Sequence, residues 1–541
     1  MKDRTELTQQ SVAKGFMVLT ISMMSVKVLS VLYTPFLRHI LGAAGWGVYS
    51  STYTIFTYIY TIANAGIPVA IAKLVAELEA KGNYKDALKT FKVSRTLLIV
   101  IGAVLSLFMF IFATPLNKAF NSTESILATR WLAPGILFTS IMCAYKGYFQ
   151  GIGDMTPTAV SQVGEQILNI IFSLLFAAML IGKGPSYGAA GGTVGTIVGA
   201  VGASLYFIWI YSKNSEKVRH RKNVEGVKRH SNEEILKLIL RYAFPITIAS
   251  ALQNAGPIVD LKIVKGRLLA QGLSEVLVET QWGFIALYNT LISIPMAIMG
   301  ALAIALVPAI SRLSALKDKK ALKVNIKSSY RVAFMISVPC AVGFAVLSVP
   351  ILKILGYDME VSPLLIWGSW VLVFYAISLI QTSILQGLGK VTLVTVFSVL
   401  GILVKAIVNY VLVGIPSIGI IGAVWGNGAC YLVMMFLFQW QINKSIGVRT
   451  NLLTCAIKPV IAGLVMGIGT SLVFKLINGG LGFVLSGYIL NLIAAGITII
   501  IAGVIYVIVL ISIGGVRKSD LNSLPGKLTK LIPPKVYSKL R

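Results

Sequence analysis

About fourteen apolar stretches, each long enough to cross a bilayer, fill the chain almost from end to end. A span needs about 20 mostly apolar residues. In hydrocarbon its backbone polar groups must be satisfied within the segment, so each stretch is expected to be a helix. The spans read as 12–37, 46–72, 91–114, 126–149, 156–181, 188–212, 236–261, 281–307, 328–352, 363–386, 391–413, 418–442, 453–477 and 484–513. A mean hydropathy of +0.82, with 56% hydrophobic and 12% charged residues, agrees. No polar stretch is long enough for a soluble catalytic domain. The longest, about residues 212–234, is a short basic loop, so the function is expected in or across the membrane. The fold class is an all-α polytopic membrane protein.

The formal net charge is +29. In a soluble chain such charge points to nucleic acid. Here the cations sit in short connections, so no nucleic-acid partner is expected. Alternate connections are Lys- and Arg-rich: Lys73, Lys81, Lys85 and Lys89; then Lys213 to Arg229; then Arg312 to Lys323; then Arg517 to Arg541. The connections between them are poorer. The positive-inside bias therefore puts both termini and the basic loops in the cytoplasm, where they also meet anionic lipid headgroups. Val12 to Leu37 is too long for a signal h-region and lacks a small-residue cleavage site, so a retained first helix is expected. Cys143, Cys340, Cys430 and Cys455 lack paired spacing, and His39, His220 and His230 are scattered; neither a disulfide framework nor a metal site is indicated.

The chain repeats itself. Trp46-Gly47, Arg95 and Gln150-Gly151-Ile152-Gly153 return as Trp282-Gly283, Arg331 and Gln386-Gly387-Leu388-Gly389, all 236 residues later. An even number of helices per copy gives both copies the same orientation, a parallel-repeat design found in transporters. The expected domains are a six-helix lobe at 1–212, a basic cytoplasmic linker at 213–235, and a second six-helix lobe at 236–442. Two further helices at 453–513 and a basic cytoplasmic tail at 514–541 complete the layout.

Ionisable groups inside spans cost roughly 2.5–3.5 kcal/mol on insertion scales and usually face a cavity or a partner. Lys27 sits midway along the first span among Ser22, Ser25, Ser30 and Thr34. Arg38 follows on nearly the same helical face, about 16 Å further along, with Pro35 between them as a potential kink. Arg38 is either a substrate contact or a membrane-edge anchor. The fifth span carries Gln162, Glu165, Gln166 and Asn169 at helical spacing, one polar stripe. The eleventh carries Ser398, Lys405 and Asn409; at the repeat offset Gln162 matches Ser398 and Asn169 matches Lys405. These faces either line a shared cavity or glue helices together. Asn254 lies near Pro257, followed by Asp260, Lys262, Lys265 and Arg267. Glu165 and Asp260 are the candidates for a coupling ion, sodium or a proton, because a desolvated carboxyl can hold a proton toward neutral pH. For Asp260 the competing reading is a solvated acid beside basic neighbours. No other cofactor is expected. There is no G-x-x-x-x-G-K-[ST] loop, no H-E-x-x-H and no serine-triad signature, so no enzyme is read here. The run Gly188-Ala189-Ala190-Gly191-Gly192 suits close helix packing.

GIPVAIAKLVAE at 66–77, RHILGAAGWGVYS at 38–50 and the pattern Pro295, Gly300, Leu306 to Ser311 carry a resemblance. Together they resemble the polysaccharide-transporter branch of the multidrug/oligosaccharidyl-lipid/polysaccharide exporter superfamily. Within it they resemble the group of stage V sporulation protein B and the MurJ-type lipid II flippases of Gram-positive bacteria. The resemblance spans essentially the whole chain. It implies two six-helix lobes around a cavity, two extra helices forming a lipid groove, a bacterial plasma-membrane location and alternating access. It implies a polyprenyl-pyrophosphate-linked sugar as cargo and cell-wall synthesis enzymes as partners. It also implies cations holding the pyrophosphate from helices 1, 2 and 8. Lys27 stands where relatives often carry Arg, and Arg38 matches the Arg before Leu-Gly. Helices 2 and 8 carry no cation here, which leaves open both lipid II and another polyprenyl-pyrophosphate sugar. The substrate-binding set is Lys27, Arg38, Gln162, Glu165, Asn169, Asn254, Lys405 and Asn409. The alternatives are a cation-coupled multidrug exporter of the same superfamily and a non-transporting scaffold of wall synthesis.

Overall fold

The computed structural model describes residues 2–219, 229–447, 450–481 and 487–515. The middle of the basic linker (220–228) and the basic tail from 516 onward lie outside the described residues. Among the described residues all regular structure is helical. The helices are α1 (Lys2–Asn64), α2 (Ile67–Ala80), α3 (Tyr84–Ile111), α4 (Ala113–Ala119), α5 (Ile126–Leu132) and α6 (Pro134–Gly151). Next come α7 (Thr156–Leu180), α8 (Pro185–Arg219), α9 (Asn232–Gln253), α10 (Gly256–Ala270), α11 (Glu275–Ala315) and α12 (Lys319–Val346). The last are α13 (Ser348–Leu355), α14 (Ser362–Gly387), α15 (Val391–Leu412), α16 (Ile421–Ile446), α17 (Leu452–Leu481) and α18 (Gly487–Ser512).

Twelve helices are long and apolar enough to cross a membrane, or 13 when the pair around Pro134, bent by 42°, counts as one span. The 60-residue stretch Ile21–Ala80 counts once in that total. At about 1.5 Å per residue it is far longer than a hydrocarbon core of about 30 Å. Gly42, at φ 70° and ψ 177°, interrupts it. Read as two passes divided there, it brings the total to the fourteen of the sequence. Pro35 stays inside helix, so the break falls at Gly42 and not at the proline. Glycine reaches positive φ without a Cβ clash, whereas Pro35 only loses one hydrogen bond.

The repeat is visible in the backbone. At the offset of 236, Ile126 and Gly151 bound α5–α6 as Ser362 and Gly387 bound α14, and Pro185 opens α8 as Ile421 opens α16. The 3-10 turns Thr123–Ser125 and Met359–Val361 are likewise equivalent. Gly153 and Gly389 both take positive φ, at 82° and 74°. A Cβ on Gly151 would stand 2.7 Å from Val75 Cβ, and one on Gly387 2.8 Å from Ile310 Cβ. Where the copies differ, sequence explains it: Pro134 breaks the first into α5 and α6, while its counterpart Trp370 lets α14 run through.

The chain forms two compact units, Met1–Gly283 and Phe284–Arg541. The division falls inside α11, past the basic linker, because α9 and α10 pack on α1 and α9 also on α2 and α3. In the first unit α8 lies along α7 through small residues. A Cβ on Gly191 would overlap Phe176, one on Gly195 would overlap Ser173 and Asn169, and one on Gly199 would stand 2.6 Å from Glu165 O. Lipid tails are as apolar as Leu, so close van der Waals packing of small residues is what holds such helices together. Gly66, which opens the GIPV segment, approaches Ala243 O on α9 where a side chain has no room. In the second unit α15 packs on α16 through Gly401, Gly422 and Gly426. The added helix α17 packs on α12, with Gly463 and Gly467 against Val338 and Val342, and α18 packs on α17.

Candidate functional site

A ladder of polar contacts runs through the first unit along α1, α6, α7 and α8. At one end Ser22 Oγ donates to Gln162 Oε1 at 3.1 Å, joining α1 to α7. One turn further along α7, Glu165 Oε2 lies 3.9 Å from Lys146 Nζ on α6. These side chains keep 26% and 15% of their exposure, so the pair borders accessible space instead of being sealed. Next, Ser173 Oγ donates to the Gly192 carbonyl at 2.6 Å and lies 2.8 Å from Asn169 Oδ1. The hydroxyls of Tyr53 and Thr196 are hydrogen-bonded to each other. The ladder ends with the Tyr33 and Tyr49 hydroxyls 3.0 Å apart. The α8 glycines bring the α7 backbone this close, so packing and polar contacts have one cause.

The stripe Gln162, Glu165, Asn169 thus forms as its spacing implies, and Gln162 and Glu165 meet partners on α1 and α6, while Asn169 meets Ser173 on α7 and, at 3.5 Å, Thr196 on α8. Lys27 is exposed on α1, while Arg38, further along the same helix, is buried at 7%. Asn254 sits in the break between α9 and α10, its side chain donating to Ser250 O at 2.8 Å. Asp260 is buried, which removes the reading of a solvated acid. In the second unit Lys405 and Asn409 are buried on α15, where Gly426 of α16 seats on Asn409. The ion-pair partner of Glu165 is Lys146, from its own unit.

Two features escaped the sequence reading. Lys146 is one, although an ionisable residue inside the apolar run 126–149 was a usable signal. The other is a sealed cluster around Lys265. Its ammonium lies 2.6 Å from Glu279 Oε1, 2.6 Å from Ser51 Oγ and 2.9 Å from Ser122 Oγ. Ser51 in turn donates to Glu279 Oε2 at 3.0 Å. Beside it, repeat-equivalent glycines meet: a Cβ on Gly283 would lie 3.2 Å from Gly47 N. Nothing in the local sequence separated Lys265 from its basic neighbours.

In the first unit the ladder and α1 offer the cations Lys27, Arg38 and Lys146 against the acid Glu165, an arrangement suited to an anionic ligand. Among the described residues no group of three or more His, Cys, Asp or Glu could hold a metal ion.

The model of the family described as polysaccharide biosynthesis protein matches residues 12–314, and the MatE model matches 277–411. The chain is 25% identical over 543 residues to "Lipid II flippase MurJ" of Bacillus subtilis (strain 168), covering 96% of this chain and 98% of that protein. It is 24% identical over 523 residues to "Stage V sporulation protein B" of the same organism, again covering 96% and 98%. Among solved structures, "Lipid II flippase MurJ, inward closed conformation" superposes with a TM-score of 0.65 at 14% identity, over 92% of this chain and all (100%) of that one. An inward-facing MATE family multidrug transporter of the MOP superfamily gives 0.62 at 18% identity, over 79% and 98%. These structures show a shared fold.

Proposed function

The chain belongs to the polysaccharide biosynthesis protein family, in the polysaccharide-transporter branch of the multidrug/oligosaccharidyl-lipid/polysaccharide exporter superfamily, and from that premise we propose that it flips a lipid-linked cell-wall or polysaccharide precursor. It is a multi-pass membrane protein of a transporter superfamily. The proposed cargo is a polyprenyl-pyrophosphate sugar, lipid II or a relative, moved from the inner to the outer leaflet by alternating access. Both termini lie in the cytoplasm on this reading, as the Lys and Arg distribution favours.

The observation that carries the proposal is that the first span and the first unit's polar ladder together hold three cations, Lys27, Arg38 and Lys146, against one acid, Glu165. A diphosphate brought into a bilayer needs cations beside it, and Lys27, Arg38 and Lys146 supply them. Lys405 offers a further cation in the second unit. Glu165, paired with Lys146, is the acid best placed to exchange a proton or sodium ion against cargo.

A second reading, a cation-coupled drug exporter, draws on the MatE match over 277–411. Cationic drugs call for carboxylates, and the ladder's carboxylate, Glu165, is paired with Lys146. The test is complementation. The parent chain and Lys27→Ala are expressed in a bacterium whose lipid II flippase can be switched off. Growth with the parent and not with the equally expressed variant is the expected result. Failure of a well-inserted parent, together with altered drug susceptibility, would move the assignment to the exporter.

A further inference from the structure

The polar ladder leaves unused a groove of about 680 Å³ between α3 and α9, lined by Lys85, Lys89 and Lys92 at one end and by apolar side chains at the other. We propose that it binds an anionic diacyl glycerophospholipid of the leaflet that meets the basic loops, which the charge bias makes the cytoplasmic one.

The three lysines fall at i, i+4 and i+7, so they stand on one face of α3. Beyond them the lining turns apolar, with Val93, Leu97 and Val100 on α3 and Leu236 on α9. From Lys85 to Val100 the groove follows α3 for about 22 Å, enough for a headgroup and the upper part of an acyl chain. The basic end adjoins the connection at residues 81–83, and the apolar end lies inside the span, which is the polarity of a phospholipid.

The acids of both helices are committed elsewhere. Asp86 is fully buried and accepts from Arg229 Nε at 3.0 Å and from the His230 backbone at 2.8 Å. Glu233 pairs with Lys237 at 2.6 Å, and Glu234 completes a capping box with Ser231. Lys89 donates to the His230 carbonyl at 2.7 Å, a neutral partner that leaves its charge uncompensated. Lys89 and Lys92 therefore give the groove a positive mouth over an apolar floor. Phosphatidylcholine, whose headgroup is neutral overall, matches only the floor.

The test is native mass spectrometry of the full chain titrated with dioleoyl-phosphatidylglycerol or dioleoyl-phosphatidylcholine. Three variants are compared with the parent: Lys85→Gln/Lys89→Gln/Lys92→Gln, Leu236→Trp, which fills the apolar end and keeps the charge, and the remote Lys319→Gln/Lys320→Gln/Lys323→Gln. One phosphatidylglycerol is expected to bind the parent and the remote variant alike. The lysine triple should bind it about a hundredfold more weakly, roughly fivefold per lysine, and Leu236→Trp should also weaken it. Equal binding of both lipids by the parent would overturn the proposal, as would full phosphatidylglycerol binding by the lysine triple or by Leu236→Trp. So would displacement by soluble glycerol phosphate at matched concentration, which would mark a headgroup-only anion site. Tighter capture of a polyprenyl pyrophosphate in the same groove would reassign it to the transport path. None of these readings depends on whether the chain flips a precursor.

Discussion

Lys265 Nζ and Glu279 Oε1 stand 2.6 Å apart with side chains 0% and 4% exposed, in a shell completed by Ser51 and Ser122. Helices α1, α10 and α11 meet at this pair. Sealed ions hold only while both are present, because removing one strands the other in a low-dielectric interior.

That asymmetry gives the first prediction. Lys265→Met or Glu279→Gln alone should cost about 3–5 kcal/mol. The double change Lys265→Met/Glu279→Leu should recover most of the loss. Thermal unfolding of the detergent-solubilised protein reads both, and a double variant no better than the singles would refute the account.

The glycine seam between α7 and α8 gives the second. A Cβ on Gly195 would overlap Ser173 and Asn169, whereas Gly164, on the same α7, has open space. Gly195→Ala should destabilise by about 1–3 kcal/mol through overpacking, and Gly164→Ala should be neutral or slightly stabilising. Equal melting of the two variants would show that the seam is looser than the geometry states.

A third concerns the pair that borders accessible space. If Glu165 exchanges an ion against cargo, Glu165→Gln should lower transport at least about tenfold, as expected when a proton-transfer or charge-bearing group is lost, and abolish its ion dependence. Lys146→Gln should keep an ion dependence and displace it. Transport assays in vesicles under imposed sodium and proton gradients distinguish these. Undiminished, ion-dependent transport by Glu165→Gln would remove the carboxylate from coupling.

The fourth separates two lysines. Lys27 is exposed, so Lys27→Ala should impair flipping while thermal stability stays within about 0.5 kcal/mol of the parent, as for a surface change. Lys405 is buried at 6%, so Lys405→Ala should also cost stability, about 2 kcal/mol or more by analogy with other long buried side chains. Lys405→Met, which keeps the volume, then isolates the effect of charge on transport.

The membrane class, the passes and the duplication were legible because each rests on a strong local signal. A run of about 20 apolar residues has one low-energy solution in lipid. The repeat was carried by glycines whose roles are steric. Gly153 and Gly389, paired in sequence at the repeat offset, are paired positive-φ turns. Pro134 shows the same legibility in reverse, since a residue present in one copy and absent from the other accounts for a bend found in one and not the other.

Helical periodicity put Gln162, Glu165 and Asn169 on one face, and no more than that was local information. Which residue each side chain meets is fixed by how closely helices approach, and that depends on glycines in another helix. Ser22 and Lys146 became partners of Gln162 and Glu165 in this way, both from other helices. The same holds for Lys265: in sequence it is one cation among several, and only the convergence of α1, α10 and α11 buries it against Glu279. Sequence by itself determined the solvent, the number of passes and the internal repeat, because hydrophobicity and backbone sterics act within a few residues. Tertiary structure alone decided which buried charges face accessible space and which are sealed, because desolvation is set by neighbours distant in the chain.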